Sequence, residues 1–299
     1  MKLVGEATND IWLGTFHSIC VRILRKFIDR LGFDTSFVIF DTSDQKTLIK
    51  NCLKELNIDN KLFTEKSVLA EISNAKNDML EPTQYCHKYE GEYRKEIIGK
   101  VYTLYQKRLK ENNAVDFDDI INFTIKILTD NPDVLEYYSE KFRYILVDEY
   151  QDTNKAQFTL VSILASRYGN VTAVGDNDQG IYGFRGADIS NILNFEKDFP
   201  GTKIIKLEQN YRCTGNILKA ANAVIKHNEN KYEKKLWMYP RSPHSTDGLR
   251  TKERRQCDNS TPRKDGQGRV PVGNQKRLLG HCRGCGLCET GLPRERTDH

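Results

Sequence analysis

Two adjacent carboxylates, Asp148 and Glu149, follow the apolar run Tyr144-Ile145-Leu146-Val147. An Asp can hold a magnesium ion directly or through its waters, and a neighbouring Glu can orient or deprotonate an attacking water. Two further polar clusters offer complementary chemistry. Gln179, ending Gly175-Asp176-Asn177-Asp178-Gln179, can hydrogen-bond a γ-phosphate or its attacking water, and Arg212, ending Glu208-Gln209-Asn210-Tyr211-Arg212, can neutralise charge that develops in a transition state. Tyr211 presents a flat face to a base. The intervening Ile181-Tyr182-Gly183-Phe184-Arg185-Gly186-Ala187 places two aromatics and an Arg among glycines, a composition suited to stacking single-stranded bases and gripping a phosphate. Plainer readings fit the same residues: a solvated acidic loop for the first cluster and core aromatics for the last.

These side chains need elements to position them. Four apolar residues without polar alternation predict a strand buried on both faces, as in a parallel sheet flanked by helices. Ligands bind outside the carboxyl ends of such strands, where Asp148 and Glu149 fall. Val171-Thr172-Ala173-Val174 and Lys203-Ile204-Ile205-Lys206-Leu207 repeat the pattern, and a helix is expected over 156–168. Three strands that each end in a polar cluster bring those clusters to one edge of a doubly wound sheet.

Upstream, residues 12–16 read as a short strand running into a turn, and Ile19, Ile23, Phe27 and Leu31 recur at helical spacing until Gly32. Thr15-Phe16-His17-Ser18 then lies at a helix amino terminus. Free N–H groups and hydroxyls there favour an anion such as a nucleic-acid phosphate, and equally fit a simple Ser/Thr cap. Phe37-Val38-Ile39-Phe40 is a second buried segment, and Thr42-Ser43-Asp44-Gln45 has the spacing of a capping box opening a helix to residue 56. Helical periodicity continues over 67–77, 92–110 and 117–128, so residues 42–135 form a helical block inserted between strands. Asp116-Phe117-Asp118-Asp119 begins a helix with three acids, which suits the helix dipole. A last helix is expected over 214–226.

The net charge of +5 conceals a break after residue 238: the first 238 residues hold 33 Lys and Arg against 34 Asp and Glu, the last 61 hold 13 against 7. Past Tyr239 there is no Phe, Trp, Tyr or Ile, and five of the eight prolines lie there. Such a composition cannot bury enough apolar surface to offset chain entropy, so 238–299 is expected to be disordered. The abrupt switch from Lys to Arg usage is also what an out-of-frame translation looks like. Cys20, Cys52, Cys86 and Cys213 are scattered, which suits reduced thiols, and no apolar run reaches bilayer length; a cytoplasmic protein with no membrane segment is the expectation.

Taken together, Gly14-Thr15-Phe16-His17-Ser18, Val147-Asp148-Glu149-Tyr150-Gln151-Asp152-Thr153-Asn154, Val174 through Ala187, and Leu207-Glu208-Gln209-Asn210-Tyr211-Arg212 resemble, in order and spacing, successive motifs of the UvrD/PcrA/Rep-like superfamily-1 DNA helicases. The resemblance covers about residues 1–237 and implies an α/β fold. In it, a RecA-like parallel sheet of the P-loop NTPase type (1–41 and 136–237) is interrupted by an all-helical subdomain (42–135). It implies ATP and Mg2+ as cofactors and single-stranded DNA, with single/double-strand junctions, as substrate. Residue by residue, it implies that Asp148 holds the metal and Glu149 activates water. Gln179 would sense the γ-phosphate, Arg212 act as an arginine finger and Tyr211 pack on adenine. Thr15 and His17 would touch the strand's backbone, Tyr182, Phe184 and Arg185 its bases and phosphates, and Phe117 would stack a base.

This sequence departs from the pattern in places. Phe184 stands where the family often has Trp, and Gly180 where Ser is commoner. No Gly-x-x-x-x-Gly-Lys-Ser/Thr loop occurs, and a second RecA-like domain has no counterpart, so the chain reads as an internal helicase fragment without hydrolytic activity in isolation. Two other readings compete. One is a single-stranded nucleic-acid-binding module without catalysis; the other places function in the tail, where His281-Cys282-x-x-Cys285-x-x-Cys288 has ligand spacing for zinc or an iron–sulfur cluster, with Cys257 in reach as a further ligand.

Overall fold

A computed structural model describes residues 11–228 and 236–237, all within the compact unit Met1–Met238. The expectations for 238–299, disorder and the Cys/His metal motif alike, lie outside the described residues.

The first helix among the described residues is α1 (Phe16–Phe27), capped by the Thr15 hydroxyl, which accepts from the Ser18 N–H at 3.3 Å. Arg25 and Lys26 occupy its last turn, complementing the negative helix end. A 3-10 turn follows and stops at Gly32, whose φ of 75° belongs to the left-handed region glycine tolerates best. No strand precedes α1 among the described residues.

Helices α2 (Thr42–Glu55), α3 (Glu65–Asn77), α4 (Pro82–Lys88) and α5 (Tyr93–Glu111) come next. The capping box of α2 starts one residue earlier than expected. Asp41 accepts from Ser43 and Asp44, and the Asp44 carboxylate answers on the Asp41 N–H, so a carboxylate takes the cap in place of the Thr42 hydroxyl. Helices α4 and α7 (Pro132–Lys141) were not legible in the periodicity; both carry Pro in the first turn, where its missing N–H costs nothing.

Two cores result. In the first, Cys20, Ile23 and Leu24 of α1 meet Ile120, Ile121 and Leu128 of α6 (Phe117–Asp130) and Leu160 and Leu164 of α8 (Lys155–Ala165). Each such buried aliphatic contributes about 1.5–3 kcal/mol. In the second, Ile49 and Leu53 of α2, Val68 and Ile72 of α3, and Ile98, Val101 and Tyr105 of α5 pack together. Helix α6 therefore packs with α1 and α8, although it falls within 42–135. That block is also not wholly helical: β2 (Ala114–Val115) pairs in parallel with β1 (Val38–Ile39).

The second small sheet pairs β3 (Ile145–Val147) in parallel with β4 (Val171–Ala173), in the register Ile145 to Val171. A third cluster, Val147, Tyr150 and Val161, covers one side, with Ile192 of α9 (Ser190–Leu193), Phe195 of α10 (Phe195–Asp198) and Phe199 packed against it. The expectation of burial on both faces fails at Leu146, which is 76% exposed. The third expected strand is likewise not formed. Residues 203–207 run without regular pairing, Ile205 and Leu207 are exposed, and only an isolated bridge from Gln209 to Trp237 follows, before α11 (Gly215–Ile225). An apolar run becomes a strand only by finding a ladder partner, and here it has none among the described residues. Within those residues no helix is long and apolar enough to cross a membrane.

Candidate functional site

The acidic pair leaves β3 in a sharp bend. Asp148 Oδ1 accepts from the Glu149 N–H at 2.9 Å, and Glu149 adopts a left-handed φ of 50°. That conformation is uncommon for a residue with a Cβ, and the surroundings hold it in place. Val174 N–H donates to the Val147 carbonyl and Tyr150 N–H to the Val174 carbonyl, so the two strand ends are knitted on both sides of the bend. Both carboxylates remain exposed.

A clasp between the strand ends comes from Gln151, which is 2% exposed. Its Nε2 donates to Glu149 Oε2 at 2.7 Å, and its Oε1 accepts from the Asp176 N–H at 2.9 Å. Gly175 makes room for it: a Cβ there would stand 2.6 Å from Gln151 Oε1 and 2.8 Å from Ile192 Cδ1. Asp176 in turn accepts from the Asp178 N–H and, at 2.9 Å, from Gln179 Nε2. Glu149 and Gln179 are thus tied through Gln151 and Asp176 into one hydrogen-bonded unit. Gln151 was not singled out in the sequence; its signal was an amide in the polar cluster just past a strand end, two residues beyond the carboxylate it holds.

The third cluster is organised by Asn210. Asn210 Oδ1 accepts from the Arg212 and Cys213 N–H groups, and Asn210 N–H donates to the Trp237 carbonyl. Tyr211 and Arg212 are exposed, and among the described residues no hydrogen bond or ion pair joins either to Asp148 or Glu149. Segment 203–207, expected to carry them to the common edge as a strand, is unpaired among the described residues.

A second grouping forms where the amino ends of α1 and α6 meet. His17, partly buried beside the exposed cap Thr15, hydrogen-bonds the Phe117 backbone, and its ring stands edge-on to Phe117 at 5.9 Å. Burial lowers the His17 pKa, against a smaller opposite effect of that hydrogen bond. Phe117 keeps half its surface in solvent. Tyr182 and Phe184 lie 6.1 Å apart with rings tilted by 33°, and Phe184 is 79% exposed, which removes the core reading for it. Arg185 ends the 3-10 turn Gly183–Arg185, and Gly186 closes it at a φ of 84°.

What holds the α6 end is a buried charge cluster. Lys76 of α3, 2% exposed, donates to Asp116 Oδ2 at 2.6 Å and Asp119 Oδ1 at 2.7 Å; Tyr105 and Gln106 donate to the same two carboxylates. Burial works against the Lys76 ammonium, yet the two carboxylates outweigh it and raise its pKa. Burial, then the Asp116 charge, push Asp119 up to about 7 and Asp118 up to about 6. Burial would raise Asp116 as well, but Lys76 brings it below the ordinary value. The sequence read the three acids as dipole partners alone. The missed signal was Val68, Ile72 and Lys76 at four-residue steps, which put a lysine on the buried stripe of α3.

The UvrD/REP helicase N-terminal domain family matches residues 1–200. The chain is 54% identical over 236 residues to the ATP-dependent DNA helicase PcrA of Bacillus subtilis (strain 168), covering 79% of this chain and 32% of that protein. It is 53% identical over 236 residues to the protein of the same name from Staphylococcus aureus (strain Mu50 / ATCC 700699), with the same coverage. The chain therefore spans 32% of the length of the curated relatives it matches. With acidic strand end, glutamine turn and exposed aromatic loop in the family's order and the family match extending over residues 1–200, the chain belongs to the UvrD/REP helicase family.

Proposed function

We propose that this chain carries most of the first motor domain of an ATP-dependent DNA helicase that couples ATP hydrolysis to movement on single-stranded DNA. In this reading 1–41 and 136–237 belong to a RecA-like domain, 42–135 is its insert, and the strand is taken up near a single/double-strand junction. One observation carries the proposal: the hydrogen-bonded unit Glu149–Gln151–Asp176–Gln179, which makes the acidic pair and the turn leading to the aromatic loop one rigid piece.

The residues present fit Mg2+ and the phosphate end of ATP in part. Asp148 is an exposed carboxylate at a parallel strand end, and magnesium is commonly bound through one or two carboxylates together with phosphate oxygens and waters. Bound ATP would supply the phosphoryl bond to be broken, and bound Mg2+ would neutralise its oxygens. Asp148 would hold the metal. Glu149, fixed by Gln151, would take the proton of the attacking water. Gln179 would report the γ-phosphate to the aromatic loop. Arg212 would neutralise charge on the transferring phosphoryl group and Tyr211 would pack on the base. No Gly-x-x-x-x-Gly-Lys-Ser/Thr stretch occurs in the sequence, so this chain by itself is assigned strand binding without turnover.

On the DNA side, Thr15, His17 and Phe117 form one contact patch and Tyr182, Phe184 and Arg185 the other. Fluorescence anisotropy of a labelled oligo(dT) strand tests this half: saturable, salt-sensitive binding by the full chain supports it. Failure to bind at low salt refutes it. For the hydrolytic half, this chain's matched segment is exchanged into the Bacillus subtilis relative and DNA-stimulated ATP hydrolysis is measured; a chimera that folds and binds DNA but gains nothing from it argues against the assignment.

A further inference from the structure

The last turn of α3 lies between the two halves of the site. Toward α6, Ser73 Oγ donates to Asp118 Oδ2 at 2.7 Å, and Asn122 Nδ2 donates to the Lys76 carbonyl at 2.8 Å. Toward the acidic loop, Asn77 Oδ1 accepts from Asn154 Nδ2 at 2.7 Å, while Asn77 Nδ2 donates to the Ser73 carbonyl at 2.9 Å. Asn77 also lies beneath the aromatic loop: a Cβ on Gly186 would rest 3.7 Å from its Cβ and Cγ. Asn154 caps α8 and directly follows Thr153, whose carbonyl accepts from the Asp188 N–H just past the loop.

We propose that Asn77 is a positioning residue that couples occupancy of the strand-binding face to the geometry of the acidic loop. The inference rests on the strand-binding reading above and goes beyond it, since no motif residue supplies the connection. Three features meet at this one side chain: the turn bearing Phe184, the cap of α8, and through Asn154 the segment that starts at Asp148; the α6 end bearing Phe117 is reached one step away, through Ser73 and Lys76 of the same helix turn. A strand pressing on the aromatic loop moves a group that Asn77 touches, and one pressing on Phe117 reaches Asn77 through Asp118 and Ser73. The Asn154 bond transmits that shift to residues 148–154. Coupling of this kind needs a contiguous element with two arrangements that both sites bias, and the α3 end is the one that touches both.

The test uses the full chain, oligo(dT) and hydrogen–deuterium exchange. Asn154→Ser keeps a good helix cap but cannot reach Asn77, and Asn77→Ala removes the other side of the same bond. In the parent, oligo(dT) protects amides in both 182–187 and 148–154. In either variant, affinity stays within about threefold of the parent and 182–187 is still protected, while protection of 148–154 falls by about tenfold or more. The double variant does no worse than either single one, because both remove one interaction. Unchanged protection of 148–154 in the variants overturns the coupling while leaving strand binding intact, as does a parent that binds but never protects 148–154. A parent that does not bind oligo(dT) overturns the strand-binding reading and this inference with it. If one variant does not fold, the other decides.

Discussion

Gln151 Nε2 donates to Glu149 Oε2 at 2.7 Å while the same side chain accepts from the Asp176 N–H, so a single buried amide sets the position of the proposed general base relative to the neighbouring strand end. Removing it leaves the Asp176 N–H without that partner and Glu149 free to turn. Gln151→Ala is expected to lower stability by about 1–3 kcal/mol, read as a reduced urea midpoint. Gly175→Ala should resemble it, because the added Cβ displaces the Gln151 amide. Urea midpoints like the parent's in both variants would remove the clasp as a stabilising feature.

Glu149→Gln keeps an oxygen for the Gln151 bond and removes only the basicity. In the chimera with the Bacillus subtilis relative, DNA-stimulated ATP hydrolysis should drop at least about 100-fold, with nucleotide binding retained. Hydrolysis within a few-fold of the parent chimera would assign the base elsewhere.

Phe184 is 79% exposed, with its ring tilted against that of Tyr182. Phe184→Ala should weaken oligo(dT) binding by about 1–3 kcal/mol without moving Tm, and Phe184→Trp should hold or tighten it. An unaltered dissociation constant would take Phe184 out of the interface.

Lys76 donates to two carboxylates that share its burial. Lys76→Met strands them and should cost about 3–5 kcal/mol, among the largest effects of any single change in the second core. Chemical denaturation measures it directly; a loss under 1 kcal/mol would mean that the site opens to water.

The same cluster sets a pH dependence. Asp119 is pushed up to about 7 and Asp118 up to about 6, above their ordinary unfolded values, so the folded state binds more protons between about pH 4 and 7. Their contribution to stability is therefore largest at the acid side of that window and is lost as pH rises through it. Asp116, held low by Lys76 against its burial, opposes this only below its ordinary range. Tyr102 and Tyr105, facing the same group, stay protonated throughout, their pKa values raised by burial first. Thermal melts should show Tm falling from pH 5 to pH 8, with the fall much reduced in Asp119→Asn. A flat profile in the parent would contradict the shifts.

Much of the architecture was legible because it is local. Helices α1, α2, α3, α5, α6 and α8 follow from apolar residues at three- and four-residue steps and from side-chain caps, and both need only neighbours in sequence. The strand ends that bear Asp148 and the Asp176 turn followed from short apolar runs that close on a polar cluster. The run at 203–207 has the same composition and did not become a strand, because pairing depends on a partner that no local pattern specifies.

By itself, then, the sequence determined the family: the blocks that hold Asp148, Glu149, Gln179 and the aromatics at 182 and 184 carry the resemblance that the UvrD/REP helicase match over residues 1–200 bears out. Only the tertiary structure decided which of them act as a unit. It joined Glu149 to Gln179 through Gln151 and Asp176, set His17 against Phe117, and tied Lys76 to the α6 end and Asn77 to Asn154. The physical reason is reach: these bonds span up to 77 positions in the chain, and a hydrogen bond is only about 3 Å long.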